Sequence, residues 1–499
     1  MKKINYIIGT AIALIVLNSC SDWLDVTPRS QIKESVVYES EDGFKKSLLG
    51  VYILIANEGL YGKTTTMYLP ELLAWHWTIP VSSDNKMNRW ANYDYSNTNV
   101  EGMIAALWIK YYNAIAQLNS LLQHLDNSTI QFEYNNDALI KGEALGLRAF
   151  LHLDLLRYFG PVPLNSAPDA FAIPYVTEMT KNPEKLISIP YSAVLQNIES
   201  DLDAAEKLLE TVDPILFNSN NALNGYPGSS TNLPNDNFQL SRQARFNYYA
   251  CLGAKARFYQ WIGDKEKASE YARKVIEATN NDRSPKFPLA TEETYSAGDD
   301  QALIMRCEHL FGIYNSDLQS IINPLFTSSA GDLTQTEGNM NDCYEFLINP
   351  SDIRYKPTNQ PLRYWESKTY QFSVQFNHFR KYGGNEQFPA SNYRVPLLRL
   401  SEMYFILIEN LPLAEAKEYF SVFRFARVMD ESLETLSFTN EFERRNRLEK
   451  EYRKEFFGEG QMFFFYKRLN YENYSWPSFF TLPVGAYVLP KPNAQLSFE

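Results

Sequence analysis

Between positions 75 and 93 the chain carries Trp75, Trp77, Asp84, Asn85, Arg89, Trp90 and Tyr93. Rings and short polar side chains in one stretch suit a saccharide, because the apolar C–H faces of a sugar stack on aromatic rings while its hydroxyls exchange hydrogen bonds with Asp, Asn and Arg. A later stretch adds Tyr364, Trp365 and Tyr370. An aromatic surface of this kind also suits an extended peptide, so oligosaccharide and peptide both remain candidate ligands. The competing expectation is that the same rings pack beneath long loops and never meet a ligand.

Signatures of bond-breaking chemistry are missing. Gly62-Lys63-Thr64 is the end of a phosphate-loop pattern, but Asn57 stands where its first glycine is required and no apolar strand precedes it. There is no Gly-x-Ser-x-Gly elbow, and His76, His124, His152, His309 and His378 form no His-Glu-x-x-His pair. Cys251, Cys307 and Cys343 match no zinc spacing and cannot all pair, so they are expected as buried, inert thiols. No catalytic residue, metal ligand or cofactor is therefore assigned. A glycoside-hydrolysing pair of carboxylates stays open as an alternative, since 59 acids allow many pairings and only spatial separation discriminates among them.

The elements that must position these residues are mostly helices. Apolar residues recur every three or four positions over Glu101 to Leu125, through Leu107, Tyr111, Ile115, Leu118 and Leu122. Asp137 to Phe159 is apolar nearly all round, which predicts a helix buried among others, and its Arg148, Asp154 and Arg157 then need partners. Ser241 to Ile262 and Lys265 to Ala278, joined by Gly263-Asp264, approximate a tetratricopeptide repeat, with Ala250, Gly253 and Ala254 allowing close approach of a neighbouring helix. Further helices are expected over Pro190 to Leu209, Val395 to Leu411, Leu413 to Met429 and Phe442 to Phe457. The fold class is thus mainly α: helix pairs stacked as a solenoid-like scaffold, with loop-rich insertions near 60–99 and 283–392 that hold a few short strands.

Composition agrees with a globular, non-nucleic-acid-binding protein. Of 499 residues 45% are hydrophobic and 21% charged, and 47 basic residues face 59 acidic ones for a formal charge of −12. That balance argues against a broad polyanion-binding surface. Aromatic residues reach 14%, more than an ordinary core needs.

The amino terminus sets the compartment. Lys2 and Lys3 precede an apolar run from Ile4 to Leu17, too short for the roughly 20 residues of a membrane-spanning helix and suited to an export signal. Leu17-Asn18-Ser19-Cys20 resembles a bacterial lipobox, so residues 1–19 are expected to be removed and Cys20 to be lipidated. Two or more acyl chains, at about 0.8 kcal/mol per buried methylene, anchor a protein to a membrane without embedding it.

Several segments, taken in order, resemble the SusD/RagB family of nutrient-capturing outer-membrane lipoproteins. They are Cys20-Ser-Asp-Trp-Leu-Asp25-Val-Thr-Pro28, Ala144 to Leu164 with its Arg-Ala-Phe-Leu-His core, Arg245 to Ile276, Leu398 to Tyr404, Glu451 to Arg468 with its Glu-Gly turn, and Tyr487-Val-Leu-Pro-Lys-Pro492. The chain departs from the family's pattern at Glu409-Asn410, at Gln461 and in the tail Asn493 to Glu499, which suggests a divergent subgroup. The resemblance implies one SusD-like domain over 20–499, exposed at the cell surface, with Asp22 and Asp25 resembling a surface-export signal. It implies a lid on a SusC/RagA-like TonB-dependent barrel that binds oligosaccharide or peptide and delivers it for import, with no catalysis. A surface glycoside hydrolase and a scaffold that binds only protein are the readings from other classes.

Overall fold

The computed structural model describes residues 34–78, 86–180, 182–225, 233–296, 303–327, 333–355, 364–369, 375–383, 393–428, 437–497 and 499. Among them ten helices of eight or more residues form the scaffold: α1 Glu41–Ala56, α2 Thr98–Asp126, α3 Asn136–Phe159, α4 Tyr191–Val212, α5 Tyr248–Ile262, α6 Lys265–Ile276, α7 Leu400–Asn410, α8 Leu413–Arg427, α9 Glu441–Glu455 and α10 Gln461–Arg468. The strands are β1 His309–Tyr314, β2 Gln335–Thr336, β3 Trp365–Thr369, β4 Gln375–Phe379, β5 Arg394–Arg399, β6 Asn473–Tyr474 and β7 Phe480–Thr481. No described helix is long and apolar enough to cross a membrane.

Each helix packs on the next, from α1 through α6, and α6 then packs on α7, which carries α8 and α9. The result is the row of helix pairs that the periodicity predicts. α1 buries Phe44, Leu48, Val51, Tyr52 and Ile55 on one face, and its cap Ser40 accepts the Gly43 N–H at 3.3 Å. α3 is buried on nearly every side. A Cβ at Gly146 would fall 2.1 Å from the Phe246 ring, so only glycine lets the chain before α5 cross there. Between α5 and α6, Gly263 turns the chain at φ 81° and Asp264 caps α6 by accepting the Lys267 N–H at 3.0 Å. The neighbour admitted by Gly253 is not a helix but Leu310 of β1, 2.9 Å from where a Cβ would sit.

Two expected helices start later in the structure. The first begins at Tyr248 rather than Ser241, where Asn247 accepts the Ala250 N–H at 2.9 Å as a cap. The second begins at Leu400 rather than Val395, because residues 394–399 are β5. Pro396 has no N–H to give a helix and biases Val395 toward extended backbone, and β1 supplies an antiparallel partner with Gly312 opposite Pro396. β1 and β5 together form the neck through which the long insertion leaves α6 and returns to α7. Beyond the neck, β2, β4 and β3 pair in that order, all antiparallel.

The polar residues of α3 find partners. Arg148 grips Asp201 of α4 through two hydrogen bonds of 2.7 Å, and Asp154 pairs with Arg157 while accepting the Tyr61 hydroxyl at 2.6 Å. A larger network binds the insertion to the last helices. Arg399 contacts Glu308, Glu455 and Glu459; Arg427 contacts Glu308 and Glu455; Arg354 contacts Asp352, Glu451 and Glu455. Arg424 and Lys454 complete Glu451, Lys454 reaches Glu345, and Lys381 pairs with Glu459. Six cations meet six anions almost fully out of water, a pairing that keeps each burial penalty from standing uncompensated. Burial alone would raise the Glu451 carboxyl, but Lys454, Arg354 and Arg424 outweigh it and hold it well below its ordinary value.

Cys251, Cys307 and Cys343 are free thiols. Burial pushes Cys307 and Cys343 up to about 12, which leaves them protonated and unreactive at neutral pH.

Candidate functional site

The aromatic stretch near residue 75 holds a short helix Leu69–Leu73 followed by a turn at 74–75, and a second short helix Lys86–Ala91 that precedes α2. Two bulky residues here have left-handed backbone, Trp75 at φ 59° and Tyr93 at φ 57°. Such a conformation costs non-glycine residues energy and is held only where neighbours enforce it. For Trp75 the enforcement is visible. Its Nε1 donates to the Ala91 carbonyl at 2.8 Å, and its ring stacks on Phe480 of β7 with centroids 4.1 Å apart and planes at 29°. For Tyr93, the hydroxyl donates to the Leu73 carbonyl at 2.5 Å and accepts from the Tyr474 hydroxyl of β6 at 3.0 Å. Burial pushes that hydroxyl far above the ordinary tyrosine range, so it stays a neutral donor.

The candidate residues separate into a surface group and a buried group. Trp75 is half-buried, and Arg89 remains 42% exposed beside Asp94, with Nη1 3.0 Å from the carboxylate. Trp90 and Tyr93 lie beneath them, 1% and 7% exposed, and Trp90 Nε1 points to the Met103 sulfur at 3.1 Å. Trp77 and Trp365, distant in sequence, do come together with centroids 5.9 Å apart. They meet in the core: Phe326, Phe379 and Phe457 surround Trp77, and the two indoles are only 3% and 4% exposed. In this structure Trp77, Trp90, Tyr93 and Trp365 are therefore packing residues, and their burial within other rings is the physical reason. Asp84 and Asn85, like Cys20, Asp22, Asp25 and Tyr370, lie outside the described residues.

The remaining surface is a ledge made by the Trp75–Phe480 stack, with Arg89 and Asp94 carried on the helix and turn that Trp75 Nε1 grips. Exposed Asn92 sits on the same turn, and Phe479, 73% exposed, precedes the stacked ring. An aromatic ledge beside a donor and an acceptor can seat one face of a sugar ring and bind its hydroxyls. Sequence reasoning missed Phe479 and Phe480. Their signal was the aromatic cluster Trp476-Pro477-Ser478-Phe479-Phe480, whose pairing with residue 75 only the fold reveals. Among the described residues no group of three or more His, Cys, Asp or Glu side chains is placed to hold a metal ion.

The Glu-Gly turn between α9 and α10 holds the short helix that leads to Trp75. Glu71 accepts the N–H groups of Gly458 and Gly460 at 2.9 and 2.8 Å and is bonded to His76 Nδ1 at 2.9 Å. Glu459, between the two glycines, turns the other way into the buried network of Arg399 and Lys381.

Comparison with known proteins agrees with this architecture. A SusD-like family model, described as starch-binding and associating with the outer membrane, matches residues 22–222. A SusD-like protein of Formosa agariphila is 24% identical over 218 residues, which is 42% of this chain and 39% of that protein. The chain thus aligns with well under half the length of this curated relative. Among solved structures, a SusD superfamily protein of Bacteroides thetaiotaomicron superposes with a TM-score of 0.70 at 20% identity, covering 91% of this chain and 97% of its own. A SusD-like carbohydrate binding protein of Bacteroides vulgatus gives 0.65 at 17% identity, covering 92% and 96%. Residues 22–222 thus match the SusD-like family model, and over nine tenths of its length the chain has the fold of SusD superfamily structures.

Proposed function

We propose that this chain is a non-catalytic, saccharide-binding lipoprotein of the outer membrane. Residues 1–19 serve as its export signal, Cys20 carries the lipid, and residues 20–499 act as one SusD-like domain. It captures oligosaccharide at the surface and hands it to a SusC/RagA-like TonB-dependent barrel. The observation that carries the reading is the partly exposed Trp75–Phe480 stack, tied through Trp75 Nε1 to the short helix that carries Arg89, since sugar rings require aromatic faces together with polar groups. The description of the matching family as starch-binding supports the ligand class, and the description of a structural neighbour as a carbohydrate binding protein points the same way. Asp84 and Asn85 are proposed as further hydroxyl-binding groups.

The test is a binding screen of the chain lacking residues 1–20 against glycan and peptide libraries, with product analysis of every glycan retained. Retention of a glycan without release of shorter products is expected. Selective retention of peptides would replace the ligand class, and hydrolysis would replace the non-catalytic reading.

A further inference from the structure

A second cavity lies away from this ledge, among the carboxy-terminal parts of α5, α7 and α10 and the start of α9. Its volume is about 300 Å³, the lower end of the range for small-ligand sites. Phe465, Leu448, Leu164 and Trp261 give it apolar wall. Its charges do not balance. Arg468 is committed to Glu409 by two hydrogen bonds of 2.7 and 2.6 Å, and Arg444 to Glu441 and the Leu411 carbonyl. Arg445 and Lys265, both exposed at the mouth, make no salt bridge or side-chain hydrogen bond with any described residue. Two uncompensated positive charges therefore face a partly apolar cavity on a protein whose net charge is −12.

Adjoining it is a space of about 30 Å³ that shares Gln260, Trp261, Phe465 and Arg468 with it and is also lined by Arg257 and Tyr452. Arg257 is 4% exposed. Its Nε and Nη2 donate to Glu402 at 2.7 and 2.6 Å, yet its Nη1 has no partner. A buried guanidinium nitrogen left open beside a cavity leaves a hydrogen bond for a ligand group or a trapped water to complete.

We propose that this cavity is a second binding site, taking a monosaccharide-sized ligand that bears one carboxylate. Arg445 and Lys265 hold the carboxylate at the mouth, the ring lies against Phe465 and Leu448, and a hydroxyl or its water reaches Arg257 Nη1. Arginine suits the role because its fork of N–H donors matches a carboxylate's two oxygens.

The probes are D-glucuronate and neutral D-glucose, titrated calorimetrically into the purified full chain. Glucuronate is expected to bind with a Kd of about 1 mM or tighter, to weaken as salt is raised, and to bind at least about tenfold more tightly than glucose. Arg445→Glu, at an exposed position, should lose at least about tenfold in affinity, or 1.4 kcal/mol, with an unchanged melting temperature. Lys265→Glu should behave alike, whereas Trp75→Ala should leave glucuronate binding intact. Absence of glucuronate binding at about 20 mM, equal binding of glucose, or an unchanged affinity in Arg445→Glu would overturn the proposal. Loss of glucuronate binding in Trp75→Ala alone would return the ligand to the first surface and equally overturn it.

Discussion

Glu71 accepts the backbone N–H of Gly460 at 2.8 Å, tying the short helix that leads to Trp75 to a turn 389 residues further along the chain. The bond is possible because Gly460 takes φ 74°, which aims its N–H at the buried carboxylate. A Cβ at Gly460 would fall 2.5 Å from Pro70 and 2.9 Å from the Thr66 carbonyl. Gly460→Ala is therefore expected to cost about 2 kcal/mol or more, from left-handed strain plus a forced shift of the Leu69–Leu73 helix. Chemical denaturation checks this, and an unchanged midpoint would show that the turn tolerates a side chain.

Trp90 and Trp75 should respond differently to truncation. Trp90 is enclosed, so Trp90→Ala opens a cavity and is expected to destabilise the fold by about 3–5 kcal/mol. This replaces the simpler sequence-based expectation that Trp90 touches ligand. Thermal melting of both variants distinguishes the roles: Trp75→Ala, at the half-buried ledge, should shift the melting temperature less than Trp90→Ala does.

Arg399 sits where three glutamates converge. Arg399→Ala leaves Glu308, Glu455 and Glu459 short of a cation and should cost about 3–5 kcal/mol. Arg89→Ala, which breaks an exposed pair with Asp94, should cost about 1 kcal/mol or less. Equal melting temperatures for the two variants would refute the distinction.

Acid should weaken the attachment of the insertion to α9. Burial acts to raise the Glu345 carboxyl, but Lys454, Arg447 and Lys450 outweigh it and hold it at about 2. Because its folded pKa lies below the unfolded value, the unfolded chain binds the proton more readily. The stability Glu345 contributes is present above roughly pH 4.5 and is lost as pH falls toward 2. The depression corresponds to about 3 kcal/mol at most. Glu345→Gln should flatten the stability profile through that window, measured as denaturation midpoints against pH, and a profile as steep as that of the parent would contradict the assignment.

The helical scaffold was legible where one face alone is apolar, as in α2, or where caps and turns carry their usual residues, as at Gly263-Asp264. β5 resembles the start of a helix in sequence because Val395, Leu397 and Leu398 run on into the apolar positions of α7, and the choice of strand depends on its distant partner β1. Local sequence could count the aromatic rings but could not say which faced water. Trp77 and Trp365 lie far apart in sequence and meet 5.9 Å apart, yet the rings that enclose Trp77 come from Phe326, Phe379 and Phe457. Likewise Phe480 completes the ledge at Trp75 from the far end of the chain.

The most direct test of saccharide capture at the ledge is calorimetric titration of a retained oligosaccharide into the parent chain, Trp75→Ala and Arg89→Ala. Loss of one stacking face or one hydroxyl partner should weaken binding by about tenfold or more in each variant, with the fold intact by thermal melting. Undiminished affinity in both variants would show that the saccharide binds elsewhere and would contradict the account.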